Sequence, residues 1–277
     1  MSPAEAGRTP STAEAVRQGF SLLLLHNLAT PSECEMLRAE ASERACAERA
    51  EMERASPLEA ITDVSTNYLE SAPAQVRMPV ATMLSVSTQH LCDRILLRGV
   101  CRLSRDLPSL LPSLFGDDCR ADMPSLTRSD RLVFTPGEPA CNVYTAGGQF
   151  TPHEDRQSLT ILVPLSDKAD FEGGGTGYWS NEARGPTGLS GVRALELHGA
   201  PTLIISEARG TALVFGGDTT HSGQAVLAGE RAVLVASFSS ADSTTGESRP
   251  FPTDEWVQTL SGQPRWIRGL AAMVAGS

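Results

Sequence analysis

Three side chains, His153, Asp155 and His221, have the types and spacing to hold a metal ion. Two imidazoles and one carboxylate on one side of a divalent ion form the facial arrangement of non-heme iron(II) sites, which leaves the opposite positions open for a co-substrate and dioxygen. The spacing has a geometric reason. In an extended segment side chains at i and i+2 project from one face, so His153 and Asp155 reach the same ion while Glu154 points away. His221 brings the third ligand from elsewhere in the fold. It follows the apolar run Thr211 to Phe215, which reads as a buried strand, and Gly216, Gly217 and Asp218, which read as a turn. Further on, Arg231 opens another apolar run ending at Phe238. A guanidinium is a fixed fork matched to a carboxylate, so Arg231 beside the metal suits the distal carboxylate of a dicarboxylic keto acid.

A histidine and an aspartate one residue apart are a common pair. Followed by a strand, a glycine-rich turn, a strand, a second histidine and this arginine, they are not. In that order the chain resembles the Fe(II)- and 2-oxoglutarate-dependent oxygenases, and among them the prolyl 4-hydroxylase-like branch. The resemblance is carried by Asn142, Tyr144, Gly147, Phe150, His153 and Asp155, by Gly173 to Thr176, and by His221, Val226, Gly229 and Arg231. A fainter likeness to the strand-then-helix entry of those enzymes runs from Leu22 to Leu37.

The resemblance implies Fe(II) on His153, Asp155 and His221, with 2-oxoglutarate and dioxygen as co-substrates and ascorbate as a candidate auxiliary. It places the Tyr144 phenol and the Thr176 hydroxyl on 2-oxoglutarate beside Arg231. The implied reaction hydroxylates a substrate C–H bond and decarboxylates 2-oxoglutarate to succinate. Halogenating relatives replace the carboxylate ligand, so Asp155 favours hydroxylation. Nucleic-acid demethylating relatives carry a second arginine where this chain has Ser237, and the prolyl hydroxylase branch an aromatic. Arg231 also stands where that branch has lysine. These departures loosen the tie to peptidyl proline and leave a peptide, a free amino acid or another small metabolite as substrate. Two other readings stand beside the oxygenase: a jelly-roll metal-binding or sensor protein without turnover, and a metal cupin enzyme that needs no keto acid.

At 277 residues, 40% hydrophobic and 20% charged, the chain is long enough for a substantial core. A net charge of -10 and the lack of a basic run argue against nucleic acid. The apolar run Leu22 to Leu25 is far too short for a membrane span. Six cysteines without regular spacing read as free thiols in a reducing, cytoplasmic setting.

The elements that must position these residues divide into two halves. The expected fold is α+β, mainly β: a double-stranded β-helix, a cupin-like jelly roll, braced by N-terminal helices. Residues 1–18 read as a flexible terminus and residues 19–277 as one domain. Within it, helical support spans about 30–116, the jelly-roll core about 128–240 and a C-terminal helix about 253–274. Thr30, Pro31 and Glu33 give an N-cap, a proline at the first helical position and a capping-box partner for a helix from Pro31 to about Ser56. A second apolar stripe, from Leu84 to Leu103, marks a helical block closed by Pro108, Pro112 and Gly116. Short strand-like runs follow at 131–134, 140–144, 159–165, 202–205, 211–215 and 231–238. The polar insertion 180–201 reads as a hairpin or a flap over the site. His26, His90 and His198 lack a partner at ligand spacing, and Tyr178 and Trp179 suit either the core or a substrate cleft.

Overall fold

The computed structural model describes residue 16 and residues 21–54, 74–179 and 199–241. The expected C-terminal helix, His198, most of the terminus 1–18 and most of the insertion 180–201 lie outside the described residues. Val16 is fully buried in the core.

The helical half forms as the capping signals direct. Helix α1 (Pro31–Arg54) starts with the Thr30 amide donating to Glu33 Oε2 (2.8 Å) and the Glu33 amide to Thr30 Oγ1 (3.2 Å). Cys34, Leu37, Ala41 and Ala45 make its buried face. A short helix α2 (Val80–Met83) leads into α3 (Val86–Asp106), whose N-cap Ser85 accepts from the Thr88 amide. Arg98 of α3 ties the two long helices by an ion pair with Glu33 at 2.8 Å. The chain then departs from expectation. It restarts as α4 (Leu110–Phe115), with Pro112 in the first turn, where a missing N–H breaks no helical bond, and stops at Gly116 with φ +57°.

The strands are β1 (Leu23–Leu25), β2 (Gln75–Pro79), β3 (Leu132–Phe134), β4 (Ala140–Tyr144), β5 (Phe150–His153), β6 (Leu159–Pro164), β7 (Phe171–Gly173), β8 (Thr176–Tyr178), β9 (Leu203–Ile205), β10 (Ala212–Phe215), β11 (His221–Gly223), β12 (Val226–Gly229) and β13 (Arg231–Ser240). The larger sheet runs β1-β10-β6-β13-β4-β2, with β3 also on β13; the smaller runs β5-β11-β8-β9, and β12 pairs with β7. All pairings are antiparallel. From β4 to β6 and again from β9 to β11 the chain alternates between the larger and the smaller sheet, as in a jelly roll, while β8 and β9 follow each other in the smaller sheet and β7 pairs with β12 apart from both.

Side-chain alternation along β13 gives the larger sheet a core on each face. Ala232, Leu234, Ala236 and Phe238 pack towards the helices, where Phe238 stacks on Phe115 of α4 with centroids 5.3 Å apart. Val233 packs towards the smaller sheet with Tyr144, Leu162, Tyr178, Leu213 and Phe215. Arg231 lies on that same inner face. The smaller sheet covers it, and the two sheets enclose the cleft described next. Six strands, β2, β5, β7, β8, β11 and β12, are absent from the pattern reading. Each has three to five residues, and several carry glycine or polar side chains too sparse to set a period of two.

Candidate active site

His153 is the last residue of β5 and His221 the first of β11, and the two are direct partners in the antiparallel ladder. Residues opposite each other in such a ladder share a face, so the register itself sets the rings side by side, with centroids 4.3 Å apart. Asp155 lies just beyond β5, its Oδ1 3.5 Å from His153 Nε2 and its Oδ2 3.7 Å from His221 Nε2. One ligand atom from each of the three falls within 4.8 Å of the others. The two histidines and the aspartate expected to share an ion are thus brought together. The i, i+2 spacing works although Asp155 has left the strand.

Each imidazole is fixed through its other nitrogen. His153 Nδ1 donates to the Thr151 carbonyl (2.8 Å) and His221 Nδ1 to the Thr219 carbonyl (3.0 Å). A carbonyl only accepts, so both rings carry the proton on Nδ1 and present the lone pair of Nε2 towards Asp155. Thr160 Oγ1 donates to Asp155 Oδ2 at 2.5 Å and also contacts Ser237 Oγ at 3.2 Å. Ser237, expected from its sequence position to matter only as a departure, is therefore part of the frame behind the carboxylate.

The electrostatics follow from burial and from this clustering. Burial pushes the His221 imidazole down to about 4, against the attraction of Asp155. Burial acts the same way on His153, but the hydrogen bond that the imidazolium form would donate from Nε2 to Asp155, with the Asp155 charge, outweighs it and holds the ring above its ordinary value. Burial opposes charge on Asp155, yet His221, His153 and Thr160 keep its carboxyl well below the usual range.

Arg231 begins β13 opposite Tyr144 in the β4 register, and its guanidinium carbon lies 5.5 Å from the centroid of that ring. Its Nη2 donates to Thr176 Oγ1 at 3.1 Å, so the three residues expected to hold a co-substrate form one cluster. Arg231 is 5% exposed, and among the described residues no carboxylate pairs with it. A buried cation without a counter-charge is costly, on the order of several kcal/mol, which an anionic ligand would offset. Gly174 makes room for the arginine. Its φ is +63°, and a Cβ there would come within 2.8 Å of the Phe171 ring and 3.2 Å of Arg231 Cδ.

A cleft opens over these groups, lined by the triad, Tyr144, Thr176 and Arg231, together with Arg77, Glu138, Asn142 and Phe150. Arg77 and Glu138 are additions to the sequence reading. Arg77 lies on β2, which the pattern did not disclose, and Glu138 in the connection before β4; a lone charge in either place gives no signal. Tyr178 sits in the core, fully buried with its ring edge-on to Phe215. His90 pairs instead with Arg128 at 2.7 Å, away from the site. All six cysteines are free thiols. No described helix is long and apolar enough to cross a membrane.

No protein-family model matches the chain, and no curated protein matches it. Solved structures similar to it include the viral collagen prolyl hydroxylase of Paramecium Bursaria Chlorella virus-1 in complex with 2-oxoglutarate, at 14% identity and a TM-score of 0.42, covering 81% of this chain and 98% of that one. HygX from Streptomyces hygroscopicus, with nickel and 2-oxoglutarate bound, is similar at 14% identity and a TM-score of 0.46, over 85% and 89% of the two chains. EctD from S. alaskensis, with 2-oxoglutarate and 5-hydroxyectoine, is similar at 15% identity and a TM-score of 0.42, over 86% and 78%. At these identities and scores the likeness is remote.

Proposed function

We propose that this chain is an Fe(II)- and 2-oxoglutarate-dependent dioxygenase that hydroxylates a C–H bond of a small amino-acid-like or peptidyl substrate, releasing succinate. The observation that carries the proposal is the pairing of two features in one cleft. His153, Asp155 and His221 converge with both Nε2 lone pairs available, and among the described residues no acid pairs with the buried Arg231 beside them.

The residues fit the cofactors. Two neutral imidazoles and one carboxylate are a donor set for Fe(II), and with three ligands in the group among the described residues there is room for a chelating co-substrate. When bound, the metal supplies the oxidative chemistry, decarboxylating the keto acid and hydroxylating the substrate. The chain's own part is positioning. The Thr151 and Thr219 carbonyls hold the imidazoles, Thr160 holds Asp155, and Arg231 with Thr176 takes the far carboxylate of the keto acid. Tyr144, packed beneath the guanidinium, bounds the co-substrate on the side of the larger sheet.

The test is anaerobic reconstitution with Fe(II), followed by succinate release from 2-oxoglutarate on admitting oxygen, with a panel of candidate substrates. Turnover that requires both iron and 2-oxoglutarate supports the assignment. Activity that persists without the keto acid would point to a different metal enzyme, and iron binding without any turnover to a sensor.

A further inference from the structure

Beyond the triad and the co-substrate cluster, the cleft contains a second set of polar groups on β2, β4 and the segment before β4. Arg77 Nη2 donates to Glu138 Oε1 at 2.6 Å, and Glu138 Oε2 accepts from the Ser237 amide. The Glu138 side chain is 3% exposed and that of Arg77 18%. Asn142 is the direct cross-strand partner of Arg77, and both side chains line the cleft. Asn142 is 5% exposed, and its Oδ1 has no hydrogen-bond partner among the described residues.

Two of these facts call for a ligand. An ion pair sequestered from water is weak evidence for stability, because well-packed apolar side chains often serve as well in its place. An orphaned buried acceptor costs about 1–3 kcal/mol unless something donates to it. We infer that Arg77, held in place by Glu138, and Asn142 together form the substrate subsite, and that the substrate is a free amino acid bound by both its carboxylate and its ammonium group. This inference rests on the oxygenase reading above.

The geometry suits that headgroup. Side chains directly opposite in an antiparallel ladder share a face, so Arg77 and Asn142 present a cationic donor and an amide to the same side of the cleft. The guanidinium takes the carboxylate, and the Asn142 carbonyl accepts from the ammonium. Glu138 anchors the arginine to β13 through the Ser237 amide, the same residue whose hydroxyl contacts Thr160 behind Asp155. Substrate orientation is thereby tied to the frame of the metal ligands. Charge agrees as well: with a divalent metal and a dianionic keto acid in place, the charges of Asp155, Arg231, Arg77 and Glu138 bring the loaded site to neutrality, which favours a zwitterion over a net ion. A peptide would present neither a free carboxylate nor a free ammonium at the same carbon.

The experiment is calorimetric titration of the full chain loaded with Ni(II) and 2-oxoglutarate, a redox-silent complex, with the twenty free amino acids and with the N-acetyl and C-amide forms of any that bind. At least one free amino acid should bind, and each capped form should bind at least tenfold more weakly. Arg77→Gln should weaken the free amino acid at least tenfold and leave 2-oxoglutarate affinity within twofold. Asn142→Leu should weaken the free form more than the N-acetyl form. If Ni(II) and 2-oxoglutarate bind but no amino acid does, or if capped and free forms bind alike, the subsite is wrong while the oxygenase reading stands. Failure to bind Ni(II) or 2-oxoglutarate overturns both. The capped series uses the unaltered protein, so it decides even where a variant fails to fold.

Discussion

His153 and His221 face each other across the β5–β11 ladder, and each directs its Nδ1 to the carbonyl of the residue two places before it. The two half-sites therefore share a local construction although they lie far apart in the chain. A strand edge fixes each ring, and the register aligns them. Asp155, on the irregular stretch after β5, completes the set with help from Thr160.

Removing a ligand should remove the metal. His153→Ala and His221→Ala are each expected to lose iron retention and keto-acid turnover by about 100-fold or more, whereas Thr160→Val, which frees Asp155 from its donor, should cost about 10–100-fold in metal affinity. Metal content after gel filtration and succinate release measure both. Full turnover in either histidine variant would show that the metal sits elsewhere.

Metal affinity should fall with pH in a particular way. Protons compete with the ion for the imidazoles. His221, pushed down to about 4 by burial, is neutral throughout the working range, while His153 is held above its ordinary value. Below the raised His153 value, each metal bound should therefore release about one proton, and each metal displaced take up about one, not two. The slope of log affinity against pH, with Ni(II) as probe, is the measurement. A slope of two between pH 5 and 7, or none, would contradict this arrangement.

Arg231→Ala should chiefly raise the 2-oxoglutarate requirement. A charge-assisted hydrogen bond to a carboxylate contributes about 1.5–3 kcal/mol, which corresponds to roughly 10–100-fold in KM. Thr176→Val removes the hydroxyl that steadies the guanidinium and should produce a smaller change of the same kind. Metal content should stay normal in both, which separates co-substrate binding from metal binding.

The sequence disclosed the site better than its surroundings, for a physical reason. His153, Asp155, His221 and Arg231 are rare residue types at constrained spacings, and they converge as expected. The capping box of α1 and the strands β4 and β13 were equally legible, because capping and long apolar runs leave local marks. Strand β2 lacks such a mark. It pairs with β4, residue for residue from Gln75 against Tyr144 to Pro79 against Ala140, and a pairing across that distance in the chain depends on tertiary packing. Arg77 was invisible with it. The role of Ser237 emerged only when the ladder set it opposite Thr160.

The link between the long helices should be sensitive to acid. Hydrogen bonds from Arg98 hold the Glu33 carboxyl down to about 2, below its ordinary value. A depressed carboxyl stabilises the fold above its unfolded-state pKa, and the contribution disappears as pH falls through the folded value. With Arg98 partly in solvent, the contribution is discounted to about 1 kcal/mol. Glu33→Gln should therefore lower the unfolding midpoint at pH 7 by about 2–4 °C and have little effect near pH 2. An equal effect at both pH values would assign the loss to something other than the carboxylate charge, since glutamine keeps the capping-box acceptor.

Gly174 offers a test of the co-substrate cluster that leaves every polar group in place. Its positive φ costs an alanine about 1–2 kcal/mol, and the added methyl would press on both Phe171 and the Arg231 stem. The ring of Phe171 is partly buried against the core between the sheets, and the buried Arg231 stem beside it should be displaced along with it. Gly174→Ala should then raise the KM for 2-oxoglutarate several-fold, with kcat at saturating co-substrate and metal content close to normal. Gly116→Ala is the control. Its φ is also positive, but nothing lies within 4 Å of the added atom, so it bears backbone strain without touching the arginine. A matching rise in KM in the control would reduce the effect to general destabilisation; a rise confined to Gly174→Ala would tie the glycine triplet to the placement of Arg231.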